Sequence, residues 1–268
     1  FESGTITGNF DSKTDKLKLK AEMQKMVYGS TEVNDLAVSV NSDSAALHYS
    51  MAFRNVSNSL IGLDNILLDG KLVGQTLTAN LSSIGENKDK KLLMRTRAVK
   101  EGENFRLSLD PEEFYLMNVR WDIAPDNYVE FGKDGFLVHH LFMNNAESQV
   151  YVTSVNDRFN DDVNITMKNF RLDDFSSILA QDTSLVKGSV DGDILLKRVD
   201  NKYGLVADAT IKNLIVRKTP LGDLTVNAEN PTMGKFDLVA ALAGKENQLT
   251  AKGYYLTDES GNSVNMEL

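Results

Sequence analysis

Hydrophobic and polar residues alternate with a period of two along most of this chain. In Leu17-Lys18-Leu19-Lys20-Ala21-Glu22-Met23 every apolar side chain falls on one side of an extended backbone and every charge on the other. Thr76-Leu77-Thr78-Ala79-Asn80-Leu81 repeats the arrangement with polar side chains on the outer positions. Asn104 to Leu109 reads N-F-R-L-S-L, Asp162 to Lys168 reads D-V-N-I-T-M-K, and Asp223 to Ala228 reads D-L-T-V-N-A. The pattern predicts roughly twenty half-buried strands. Short turns such as Gly102-Glu103-Asn104, Asp191-Gly192 and Gly261-Asn262 join them.

Helical spacing is scarce. Asp110-Pro111-Glu112-Glu113, followed by Phe114 to Met117, predicts one capped turn with proline at its first helical position. Asp173 to Ala180 is the longer candidate, with two acidic residues at its start and apolar residues three and four apart. Neither is long enough to organise a fold. The expected class is therefore all-β: an elongated, curled antiparallel sheet forming an apolar-lined trough, with one or two short helices. Open twisted sheets beyond about ten strands curl or split. The chain is thus expected to be one trough segment over residues 1–268, with a possible subdivision into 1–101 and 102–268. The alternative is a pair of β-sandwiches.

Weak internal echoes run through the strands. Gly4-Thr5-Ile6-Thr7-Gly8-Asn9-Phe10 is matched by Gly188-Ser189-Val190-Asp191-Gly192-Asp193-Ile194. An asparagine followed by apolar residues recurs at Asn65-Ile66-Leu67-Leu68, Asn169-Phe170-Arg171-Leu172 and Asn213-Leu214-Ile215-Val216. The intervals are too irregular for a solenoid, and reuse of turn chemistry by a β-meander accounts for them.

Composition narrows the function. A formal net charge of −9 argues against a nucleic-acid backbone or an anionic lipid surface as a general partner. The absence of cysteine removes disulfides, thiolate metal sites and thiol nucleophiles. No apolar run approaches the roughly 18 residues of a membrane-spanning helix, and no signal peptide is evident. Both ends of the chain read as strand, as expected of a segment of a longer protein.

Catalytic motifs are scarce in the sequence. His48, His139 and His140 stand in no metal-ligand spacing. In a continuous strand, the adjacent His139 and His140 point to opposite faces. The acidic run Asp157-Arg158-Phe159-Asn160-Asp161-Asp162 lacks the spacing of a calcium loop and reads as a solvated turn. No nucleophile elbow, phosphate-binding glycine loop or dinucleotide fingerprint occurs. The expectation is a non-enzyme without a cofactor or metal. What stands out is one-sided apolar strand surface, which could hold an extended apolar cargo. The candidate lining is Leu77, Ala79 and Leu81, then Phe105 and Leu107, then Val163, Ile165 and Met167, and finally Leu224, Val226 and Ala228.

An ordered series of segments carries a family resemblance. Val119-Arg120-Trp121-Asp122-Ile123 is followed by Tyr128-Val129-Glu130-Phe131, and then by Lys168-Asn169-Phe170-Arg171-Leu172-Asp173-Asp174-Phe175. Lys187 to Ile194, Ala207 to Leu214 and Thr219-Pro220-Leu221-Gly222-Asp223-Leu224 complete it. From about Phe105 to Tyr255 the chain resembles TamB, the inner-membrane-anchored component of the translocation and assembly module, within the AsmA-like bridge-type lipid transfer proteins. Its character is closest to TamB-like proteins of the Bacteroidetes. The resemblance implies a β-taco-like trough in the periplasm, in a parent protein anchored to the inner membrane by a segment outside this one. It also implies phospholipid acyl chains as cargo, a TamA-like outer-membrane barrel as partner of the parent, and a role in lipid transport or outer-membrane protein assembly. The alternative is a tandem β-sandwich module that recognises carbohydrate or an outer-membrane protein.

Overall fold

A computed structural model describes residues 3–58, 62–85, 89–133, 135–175, 186–199, 202–232, 234–245, 248–258 and 261–267. Among these residues there are 21 strands, one 3-10 turn at Val155–Asp157 and one helical turn, α1, at Leu172–Phe175. The protein is all-β, built from open, curled antiparallel sheet, the class that the alternation predicts. Two compact units divide it, one running through Pro125 and the other starting at Asp126.

The first unit is a meander of β1 (Gly4–Asp11), β2 (Lys16–Tyr28), β3 (Thr31–Ser42), β4 (Leu47–Ser57), β5 (Gly62–Val73), β6 (Thr76–Ile84), β7 (Lys90–Glu101) and β8 (Asn104–Leu109), followed by β9 (Phe114–Leu116) and β10 (Val119–Ile123). Each strand from β1 to β8 pairs antiparallel with the next. The deepest apolar burial in this unit lies around the β9–β10 hairpin, at Phe114, Met117, Trp121, Ile123 and Ala124. The helical turn expected at Asp110 to Met117 does not form. Asp110 Oδ1 instead accepts the Glu112 N–H at 2.9 Å, and the chain passes straight into β9. There Leu116 pairs with Leu92 of β7 and Phe114 with Trp121 of β10. Ladder pairing on both sides satisfies backbone groups that an isolated helical turn leaves open.

The second unit begins with the hairpin β11 (Tyr128–Gly132) and β12 (Gly135–His139). A meander follows through β13 (Leu141–Asn144), β14 (Gln149–Ser154), β15 (Val163–Arg171), β16 (Val186–Val199), β17 (Lys202–Val216), β18 (Thr219–Thr232), β19 (Lys235–Ala243), β20 (Gln248–Asp258) and β21 (Gly261–Glu267). Turn α1 covers the start of the longer predicted helix; Ser176 to Ala180 lie outside the described residues.

The recurrent asparagines sit within strands and not at the turns between them. Asn65, Asn169 and Asn213 have φ of 49°, 48° and 52°, and Asp35 of β3 has 50°. Asparagine and aspartate tolerate this left-handed region best among residues with a side chain. At Asn169 and Asn213 the register slips, so that Lys168 and Asn169 face the single residue Asp191, and Lys212 and Asn213 face Asp223. These are β-bulges, which bend the strand and sharpen its twist. Each is held in the same way. Asp191 Oδ1 accepts the Asn169 N–H at 2.9 Å, and Asp223 Oδ1 accepts the Asn213 N–H at 2.8 Å. Two buried serines serve the carbonyls at such sites: Ser148 Oγ donates to Asn169 O at 2.8 Å, and Ser83 Oγ donates to Asp64 O, next to Asn65, at 2.7 Å.

Ser83→Ala and Ser148→Ala should each destabilise the protein by about 1 kcal/mol, because each removes the buried hydroxyl that donates to a strand carbonyl. Urea unfolding checks this, and losses within error of zero would count against the assignment. A second outcome concerns acid. The Asn169 N–H and then Lys212 hold the Asp191 carboxyl below its usual range. Its folded pKa is therefore lower than its unfolded pKa. The stabilisation it supplies is complete above the unfolded value of about 3.9 and is lost as pH falls through the folded one. The stability difference between wild type and Asp191→Asn, measured by urea unfolding, should shrink below about pH 4. A difference that is constant with pH would contradict it.

Candidate functional site

Residues directly opposite one another in an antiparallel ladder share a side of the sheet, so the registers assign every paired residue to a face. In the second unit one row runs Leu141, Val152, Ile165, Ile194, Ala207, Ala228, Leu238, Gly253 and Met266 across nine strands. Beside it run Met143, Val150, Met167, Gly192, Ala209, Val226, Ala240 and Ala251. A third row is Phe170, Val190, Ile211, Leu224, Leu242 and Leu249. No charged residue interrupts these rows. The opposite face carries Thr166, Asp193, Asp208 and Asn227 in one row.

The first unit is built alike. Ile6, Ala21, Val38, Met51, Leu68, Leu81 and Met94 form one row, and Leu47, Leu72, Leu77, Ala98 and Leu107 another. Its other face carries Thr7, Lys20, Ser39, Ser50, Asp69, Asn80 and Arg95 in register.

The bulges keep the apolar rows intact. Along β15 the apolar positions are 163, 165, 167 and then 170; along β17 they are 207, 209, 211 and then 214. The step of three carries the residue beyond the bulge back to the apolar side, as the Phe170–Val190 pair shows. Two glycines on the apolar face mark close approach of neighbouring backbones. A Cβ on Gly70 would lie 1.9 Å from Thr78 O, and one on Gly253 would lie 2.1 Å from Asn265 O. A side chain at either position would collide with the backbone of the neighbouring strand.

The eleven candidate lining residues fall into two groups. Leu77, Ala79, Leu81, Phe105 and Leu107 share the apolar face of the first unit by register and by alternation along their strands. Val163, Ile165, Met167, Leu224, Val226 and Ala228 share that of the second. Their burial is graded: Val163 is 2% exposed, most are half-buried, and Leu77 and Phe105 are 39% and 43% exposed. The rows also contain residues that the sequence reading passed over, notably Phe170, Val190, Ile194 and Ile211. Strand alternation alone could not recruit Phe170, because the bulge displaces it by one residue.

The histidines take a different arrangement from the expected one. His140 has φ of 43° and ends β12, so the two rings do not diverge across the sheet. His140 Nδ1 lies 2.8 Å from Asp126 Oδ1, and His139 Nε2 lies 3.9 Å from Asp126 Oδ2. His139 Nδ1 meets Asp157 Oδ1 at 2.7 Å, and its ring stacks on Tyr128 at 4.6 Å. The bond to His140 holds the Asp126 carboxyl below its usual range. The imidazoles and carboxylates are thus turned on one another. Among the described residues no group of three or more His, Asp or Glu side chains is arranged to hold a metal ion. In the acidic run, Asp161 Oδ2 accepts from Asn156 Nδ2 at 3.1 Å, and Asp162 Oδ1 accepts the Arg198 N–H at 2.6 Å.

These features define a class: an all-β protein in which each unit separates an apolar from a polar sheet surface. No family model, curated protein or solved structure matches the chain.

The graded burial has a measurable consequence. Val163→Ala should cost about 2 kcal/mol, since it empties a fully enclosed position. Leu77→Ala removes more atoms but should cost about 1 kcal/mol or less, because much of that side chain already meets water. Urea unfolding of both variants checks the order, and the reverse order would refute the assignment of the two environments.

Proposed function

We propose that the apolar faces hold the acyl chains of phospholipid, and that the chain serves as part of a TamB-like envelope protein by binding, not by catalysis. The observation that carries this reading is the set of apolar rows that cross up to nine consecutive strands without a charge and remain partly exposed along much of their length. A core closed by a second sheet would bury such rows almost completely. An extended hydrocarbon chain laid across them gains about 0.8 kcal/mol per methylene removed from water, before ordering costs. Such a surface has no need of a polar recognition motif. The ordered TamB-like segments give the reading its setting: a periplasmic stretch of a parent anchored in the inner membrane, moving phospholipid between the membranes or aiding outer-membrane protein assembly with a TamA-like barrel.

Photo-crosslinking tests it. A photoreactive side chain at Leu224, Val226 or Ala228 should capture phospholipid from vesicles, and one at Thr225 or Asn227 should not. Val226→Asp places an unpaired charge on the apolar face and should lower capture about tenfold or more, while Thr225→Asp leaves it unchanged. Far-UV circular dichroism confirms that each variant is folded. Equal capture by both faces of the folded protein, or by neither, would dismiss the lipid-binding reading.

A further inference from the structure

Four neighbouring strands of the second unit each carry a left-handed residue near the same end. Asn169 on β15, Gly188 on β16, Asn213 on β17 and Gly222 on β18 have φ of 48°, 138°, 52° and 106°. The registers bring the last three into line. Lys187 pairs with Ile215 and Ser189 with Lys212, which sets Gly188 against Asn213 and Leu214; Leu214 in turn pairs with Gly222. Asn169 stands off this line, against Asp191, three residues along β16 from Gly188. At Gly188 an added Cβ would lie 2.7 Å from Lys212 O, and at Gly222 it would lie 2.2 Å from Ala243 O. The bend on β17 is thus matched by a residue without a side chain on each neighbouring strand. The two asparagine bends are each secured by a carboxylate, Asp191 and Asp223. A cleft of about 750 Å³ opens along this line, lined in part by Leu214, Ile215, Pro220 and Leu221.

The first unit also places left-handed residues on either side of one strand, there without a slip in register. Asp35 of β3 and Asn65 of β5, with φ of 50° and 49°, face Arg54 of β4 from its two sides. Arg54 forms an ion pair with Asp35, and Asn65 Nδ2 donates to Ile84 O at 3.2 Å.

An isolated bulge disturbs one strand pair. Bulges in line across several strands act together, because each strand must follow the bend of its neighbour to keep its ladder bonds. We infer that this line across β16 to β18, with the β15 bulge beside it, is a built-in crease that sets how tightly the sheet curls around its apolar face, and so how widely that face stands open. The inference rests on the apolar face being the working surface. Asparagine at the bends is permissive, since it holds the left-handed conformation and releases it at little steric cost. A β-branched residue there is driven toward extended backbone and flattens the line.

The experiment uses the absence of native cysteine. Two cysteines introduced at Asp208 and Arg217, exposed positions on either side of the crease in β17, carry spin labels for a distance measurement. Asn213→Val should lengthen the distance and increase the fluorescence of an environment-sensitive apolar dye. Asn213→Gly, which accepts positive φ, should leave both as in wild type. Asp223→Ala, which removes the carboxylate lock but keeps the backbone residue, should broaden the distance distribution toward longer values, and it gives the reading if Asn213→Val does not fold. An unchanged distribution in folded Asn213→Val, or in Asp223→Ala, would overturn the crease, and so would a Gly variant that lengthens it as much as Val does. Vesicle crosslinking on the same variants separates the two readings. A changed distance with no lipid capture by either face leaves the crease standing and removes the lipid role.

Discussion

The structure depends on one constraint: in an antiparallel ladder the residues paired across two strands must lie on the same side. Slippage by one residue would put an entire strand's apolar set into water. Here the constraint is applied at every step from β13 to β21, and Ile165, Ile194, Ala207, Ala228 and Leu238 remain in a single row. The energy that selects each register is therefore shared. A strand that slips loses the contacts it makes with both neighbours, not with one.

The same constraint explains the irregularities. Where β15 and β17 take in an extra residue, alternation would send Phe170 and Leu214 to the wet side. A left-handed asparagine absorbs the extra residue and restores the phase. The neighbouring strands comply through Gly188 and Gly222, and the stranded N–H groups are taken up by Asp191 and Asp223. Ser148, among the most deeply buried polar side chains of the described residues, belongs to this repair, and Ser83 plays the same part beside Asn65. Each buried hydroxyl finds its acceptor in a strand carbonyl at or beside a left-handed asparagine.

A surface that is apolar along its length and only partly covered differs in kind from a packed core. A core gains from complete exclusion of water and from tight interdigitation. In this protein full burial is confined to positions such as Val163, Val190 and Trp121, while Leu77, Phe105 and Leu249 stay substantially exposed. The glycines on the apolar side mark where backbone approach, rather than side-chain volume, limits the curl. Binding by such a face needs no fixed constellation of polar groups, in keeping with a sequence whose chemistry lies in its periodicity.

Much of this was determined by the sequence alone. Strict alternation in Leu17 to Met23, Thr76 to Leu81 and Asp223 to Ala228 identified strands and assigned each apolar residue to one side of its own strand, because side-chain direction in extended backbone depends only on parity. Parity is a local property, and its reach ends where the backbone leaves the extended region. At Asn169, Asn213 and His140 the conformation is decided by which neighbour can accept a bulge or supply a carboxylate. Those neighbours, Asp191, Asp223 and Asp126, lie between 10 and 22 residues away in sequence. The Asp110 segment met the same limit: its local signals favour a helical turn, and pairing with β7 and β10 outweighed them. Tertiary structure alone decided how rows on separate strands join into one surface, since that depends on the register between strands, and register is a relation between segments that no single segment contains.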